Sequence, residues 1–66
     1  MKLTLNGELR EVAPIATVSD LLGSLRLTEK LVLVERNGNA VPRADFAFTK
    51  LVEGDAIEIF RLSAGG

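Results

Sequence analysis

The sequence predicts an α+β domain in which a mixed sheet of four to five strands carries one main helix on one face. Three observations lead there. Two Asn-Gly dipeptides, Asn6-Gly7 and Asn37-Gly38, each follow a short apolar run; Val18, Leu21, Leu22 and Leu25 recur at helical spacing; and the stretch from Ala56 to Leu62 alternates. The chain has 66 residues, 47% of them hydrophobic, enough for one folded domain rather than a disordered segment. A chain this short buries only about 60% of the surface its unfolded form exposes, which leaves one modest core and little room for an internal substrate cavity.

From Met1 to Val12 the order is strand, turn, strand, because Asn-Gly accepts the positive φ angles of a two-residue type I′ hairpin. That loop sets Leu5 opposite Glu8, Leu3 opposite Arg10 and Met1 opposite Val12. Met1, Leu3, Leu5 and Val12 then share one face, with Glu8 and Arg10 near its edge. Pro14 to Ala16 breaks the extended pattern, and Thr17 to Asp20 reads as a capping box with Asp in place of Glu or Gln. A helix of about ten residues starts there. Gly23 costs it about 1 kcal/mol relative to Ala, and either permits close packing or lowers local stability.

Leu31 to Glu35, bounded by Asn37-Gly38, has the content of a buried central strand, whereas Ala40-Val41-Pro42 is long enough only for an edge strand, where proline is tolerated. Arg43 to Lys50 lacks periodicity and is expected to be an irregular connection with one helical turn anchored by Phe46. Val52 to Asp55 forms a turn, and the last strand runs from about Ala56 to Leu62. Hairpin, helix, strand, short strand, irregular segment, strand is the β-grasp order. Residues 1–62 form the domain, and 63–66 are expected to be a flexible tail.

Composition removes whole classes of function. Eight Lys or Arg against nine Asp or Glu give a net charge of −1, with the charges scattered singly, so there is no basic footprint for nucleic acid. No apolar run approaches the roughly 20 residues of a membrane span, and the N-terminus lacks a signal-peptide pattern; the cytoplasm is the expected compartment. With no Cys and no His, there is no thiolate nucleophile, imidazole base or soft metal ligand. Hydroxyls such as Thr4 and Ser63 have no His to activate them. Glu53, Asp55 and Glu58 suggest an acid/base group, but a turn and an outward strand position make solvated charges the expected reading. The chain is expected to bind no metal or cofactor and to be no enzyme by itself.

The chain ends in Gly65-Gly66, a pairing that average composition gives by chance at roughly 0.5%. Two glycines are a poor finish to a strand, adding backbone entropy and no packing. Such an ending arises as a frayed terminus or a cloning remnant, or because the terminal carboxylate is the reactive group. Because Gly65 and Gly66 lack Cβ atoms, Ser63-Ala64-Gly65-Gly66 would be narrow enough at its end to thread into a partner's active site and bring the Gly66 carboxylate to an ATP α-phosphate.

Leu5-Asn6-Gly7-Glu8, Asn37-Gly38 with Val41-Pro42-Arg43, Leu51 through Gly54-Asp55-Ala56-Ile57-Glu58-Ile59, and Gly65-Gly66 together resemble the ubiquitin-like ThiS/MoaD sulfur-carrier family, on its ThiS side. The likeness covers essentially the whole chain. It implies a carrier cycle in thiamin biosynthesis: a ThiF-type adenylyltransferase adenylates Gly66, a sulfur donor system converts the adenylate to a thiocarboxylate, and thiazole synthase, ThiG, takes the sulfur. ATP is then the partner's, and sulfur travels on a main-chain carbonyl, which agrees with the absence of cysteine. Ser63 and Ala64 depart from the bulkier or glycine residues often found in such tails.

Alternation on the last strand sends Phe60 and Leu62 away from the helix, just before the tail. Phe60, Leu62 and Leu9 are therefore candidates for partner docking, with Arg43 and Arg61 as charged rim contacts. Three other readings stay open: a MoaD-like carrier for molybdopterin synthesis, a ubiquitin-like protein modifier, and a plain β-grasp interaction module that works through its surface.

Overall fold

The structure is a computed structural model and describes residues 1–62. Strands β1 (Lys2–Leu5) and β2 (Glu8–Glu11) are followed by helix α1 (Val18–Ser24), β3 (Val32–Arg36), β4 (Asn39–Val41) and β5 (Ala56–Arg61). Short 3-10 turns lie at Glu29–Leu31 and Arg43–Asp45. The sheet order is β2-β1-β5-β3-β4; β1 and β5 are parallel and the other pairs antiparallel. This is the ubiquitin-like β-grasp with five strands.

The first hairpin has the expected register, Leu5 opposite Glu8 and Leu3 opposite Arg10. Its turn residues sit at φ +48° (Asn6) and +84° (Gly7), the left-handed region that Asn and Gly accept. Leu3 and Leu5 enter the core, while Glu8 and Arg10 share that side but stay in water because β2 is an edge strand. The second turn repeats the geometry, with Asn37 at +53° and Gly38 at +85°.

Both capping-box bonds are made: the Thr17 N–H donates to Asp20 Oδ2 (3.1 Å) and the Asp20 N–H to Thr17 Oγ1 (3.2 Å). The other free amides of the first turn are also satisfied, Val18 N–H by Thr49 O and Ser19 N–H by Phe46 O, each at 3.0 Å. The irregular connection is thus pinned to the helix by its own carbonyls, with Phe46 buried at its centre. Val18, Leu21 and Leu22 are buried and Leu25 packs against the core edge.

The helix is seven residues long, shorter than the ten its spacing predicts. Arg26 turns left-handed at φ +58°, the Arg26 N–H donates to Gly23 O (3.0 Å) and the Leu27 N–H to Leu22 O (2.9 Å). These are the two bonds of a Schellman stop, which satisfies the last carbonyls and ends the helix early. A Cβ on Gly23 would meet nothing within 4 Å, so this glycine permits no close packing and only weakens the helix.

Strand β3 corrects another expectation. Val32 and Val34 are buried, but Leu33 is 53% exposed, and the central strand of the sheet is β5. With one helix on one face, a strand inside this sheet is buried on one side only. Ile57 joins the core on that side.

Candidate functional site

Four of the residues expected to carry the chemistry, Ser63, Ala64, Gly65 and Gly66, lie outside the described residues. What the structure defines is the platform from which they start. The Leu62 N–H donates to Leu31 O (2.8 Å), tying the end of β5 to the 3-10 turn before β3. Beside it, β5 is held on both flanks by the two turn asparagines. Asn6 Oδ1 accepts from Ile59 N–H at 2.7 Å, and Asn37 Oδ1 accepts from Ala56 N–H at 2.9 Å.

Phe60 lies on the sheet face away from α1, directly paired with Leu33 across the β3–β5 ladder. Both are about half exposed, so they form an apolar pair on the open face. Leu62 is also exposed. Leu33 was missed from the sequence because its apolar run reads as buried throughout. Strict alternation with Val32 and Val34 was the signal that could have found it.

Leu9 is exposed, but it pairs with Thr4, which is level with Ala56 on β5. Two strand spacings and four residues along β5 put it ~16 Å from Phe60, so the two do not form one patch. Arg61 points to the other face from Phe60. It lines a cleft of about 220 Å³ with Arg10, Leu25, Leu27 and Ile59, and a second of about 190 Å³ with Arg26, Leu31 and Leu62.

Arg43, exposed at the surface, is also bonded within the fold. Its Nε donates to Glu29 O (2.9 Å) and its Nη2 to Lys30 O and Val32 O (each 3.3 Å). The guanidinium clamps the carbonyls of the 3-10 turn leading into β3, and so supports the platform from behind.

Asp55 corrects the expectation of a solvated turn carboxylate, being 4% exposed. Its Oδ2 accepts from Arg36 Nε and from Val52 N–H (both 2.9 Å), and its Oδ1 from Asn37 Nδ2 (3.0 Å). Burial pushes the carboxyl up, but the hydrogen bonds from Val52, Asn37 and Arg36, with the Arg36 charge, outweigh it and hold it below the ordinary carboxylate value. Glu58 and Glu53 remain exposed, and Glu53 accepts a backbone bond from Lys2 N–H (3.0 Å). The group is a structural staple for the turn into β5.

Among the described residues no group of three or more His, Cys, Asp or Glu is placed to hold a metal ion. No described helix is long and apolar enough to cross a membrane.

Residues 3–66 match the ThiS family. The chain is 41% identical over 66 residues to a thiazole synthase of Paramagnetospirillum magneticum, a match that covers all of this chain and 20% of that protein. It thus spans about a fifth of that relative's length. It is 35% identical over 65 residues to the sulfur carrier protein ThiS of Bacillus subtilis, covering 97% of this chain and 98% of that one. Among solved structures, the crystal structure of a thiamine biosynthesis protein, ThiS, from Geobacter metallireducens superposes with a TM-score of 0.84 at 36% identity, over the whole of both chains. An NMR structure of a thiamine biosynthesis protein from the same organism gives 0.85 at 35% identity, covering 100% of this chain and 88% of that one.

Proposed function

The chain belongs to the ThiS family, and from that premise we propose that it carries sulfur for the thiazole of thiamin as a thiocarboxylate on Gly66. It is a co-substrate of partner enzymes and not itself an enzyme. The observation that carries this reading is a family match that runs to residue 66 and so includes the Gly-Gly pair.

In the proposed cycle a carboxylate oxygen of Gly66 attacks the α-phosphorus of ATP in a ThiF-type adenylyltransferase, and pyrophosphate leaves. Sulfide-level sulfur from a donor system then displaces AMP at the carbonyl carbon, forming a C–S bond as the C–O bond to phosphate breaks, which gives the thiocarboxylate with no change of oxidation state. ThiG-type thiazole synthase takes the sulfur onto its substrate; the C–S bond at Gly66 breaks, an oxygen from water or from that substrate takes its place, and the carboxylate is regenerated. Activation is needed because a carboxylate oxygen is a poor leaving group and AMP a good one. Ser63, Ala64 and Gly65 are the thread that reaches the partner's site, where ATP is bound, and Phe60 with Leu33 is the apolar surface that meets the partner, with Leu62 flanking it at the root of the tail. The similarity of this whole chain to a fifth of a thiazole synthase favours thiazole chemistry over a molybdopterin acceptor.

Incubating the protein with a ThiF-type enzyme, ATP and a sulfur source should replace one C-terminal oxygen by sulfur, read by fragment mass spectrometry. Fragmentation is needed because Met1 oxidation shifts the intact mass almost identically. An unmodified Gly66, with the enzyme active on a control carrier, would overturn the proposal in favour of a surface interaction module.

A further inference from the structure

The two clefts that flank the end of β5 share Arg61 and differ in their second arginine, Arg10 in one and Arg26 in the other. The one carboxylate lining either cleft is Glu8, and it already faces Arg10 at 3.8 Å. With Arg10 matched by Glu8, Arg26 and Arg61 leave a local +2 on a chain whose total is −1. Among the described residues neither Arg26 nor Arg61 has a carboxylate or a hydrogen-bond acceptor for its guanidinium.

Arg26 adds an independent observation. It occupies the left-handed position that ends α1, at φ +58°, where glycine is the usual residue. An L-residue there costs about 1 kcal/mol or more, and among the described residues no hydrogen bond or ion pair of the Arg26 side chain offsets it. A strained residue kept without a local return is a pointer to function elsewhere.

Chain geometry says where that return must come from. Four residues separate Leu62 from the end of the chain, and fully extended they reach at most about 14 Å. Whenever the Gly66 carboxyl is inside an enzyme's active site, the surface around Leu62 is pressed against the mouth of that site. We propose that Arg26 and Arg61 form a cationic collar at the root of the tail, and that it docks on a carboxylate-bearing rim at the active-site entrance of the activating enzyme. The inference rests on the carrier reading and specifies the partner surface that this reading needs. Desolvated arginine–carboxylate pairs orient the carrier at the entrance and speed its arrival, both of which act on binding and leave the chemical step alone.

The test is ATP–pyrophosphate exchange with a ThiF-type enzyme, comparing wild type, Arg26→Gly, the Arg26→Glu/Arg61→Glu pair, and Lys50→Glu as a control near the opposite end of α1. Arg26→Gly should raise KM for the carrier about fivefold with kcat unchanged, while its melting temperature rises because the strain is gone. The double charge reversal should raise KM more than tenfold, and should abolish the increase of KM with salt that wild type shows. Lys50→Glu should behave as wild type. Equal KM in all variants, or a loss confined to kcat, would overturn the collar, the latter by placing the arginines at the reacting phosphate. No exchange by wild type at any ionic strength would instead remove the carrier reading itself, so the two failures are distinct.

Discussion

Asp55 is the one buried charged residue among the described residues, and its three hydrogen bonds join the turn before β5 to the Asn37 turn and to Arg36 on β3. Because its carboxyl is held below the ordinary value of about 3.9, the ionised form is the one that stabilises the fold. That stabilisation is complete above the unfolded-state pKa and is lost as pH falls through the lower folded-state pKa. Asp55→Asn, which keeps the shape but not the charge, should cost about 2 kcal/mol at pH 7, since hydrogen bonds to a charged group are worth about 1.5–3 kcal/mol. Its urea midpoint should also fall less than that of wild type below pH 4, so that the two proteins converge in acid. Parallel curves across that range would show that the cluster does not couple folding to pH. Nothing in Gly54-Asp55 as a dipeptide reveals this role, because the partners Arg36 and Asn37 are 19 and 18 residues away and only the fold brings them together.

At the scale of elements, α1 is under-stabilised at a place that makes no contact. Gly23 is exposed and its missing Cβ faces open space, so Gly23→Ala should raise stability by about 0.5–1 kcal/mol, visible as a higher melting temperature with loading unchanged. A decrease would mean that the glycine serves backbone adjustment at the Schellman stop. The start of this helix was legible in the sequence, since a capping box is local chemistry between Thr17 and Asp20. Its end was not, because the left-handed stop falls on an arginine and the usual glycine signal is absent. The hairpin register was legible for the same local reason. The faces of β3 were not, because an apolar run looks alike whether one side or both are covered, and the number of covering helices is a property of the whole chain. The docking candidates divide along the same line: the outward face of Phe60 follows from alternation along one strand, whereas separating Leu9 from it requires the pairing of three strands, and Leu62 lies just past the strand and lines the Arg61 cleft.

At the scale of the molecule, a single helix on a five-stranded sheet splits the protein into a face that folds it and a face left open. The folding face holds Leu3, Val34 and Ile57 against α1, while Phe60 and Leu33 occupy the other side of β5 and β3. Leu62, exposed at the end of β5, adjoins the start of the tail. In a small domain these tasks would compete if the same residues served both, because total stability is only about 3–10 kcal/mol for a chain of this length. Separation onto two faces removes that competition, and it makes a specific demand on Phe60→Asp. Half-exposed in the free protein, Phe60 should give up no more than about 1 kcal/mol of stability when replaced, as burial of half a side chain implies. The same change puts a charge in the centre of the proposed interface, where desolvating it without a partner costs affinity, so KM for adenylation should rise about fivefold to a hundredfold. Measured together, a nearly unchanged urea midpoint with a large increase in KM would establish the open face as the docking surface. An unchanged KM would assign docking to the arginine side of the tail root alone, and a collapse of stability would show that the sheet needs Phe60 for its own cohesion.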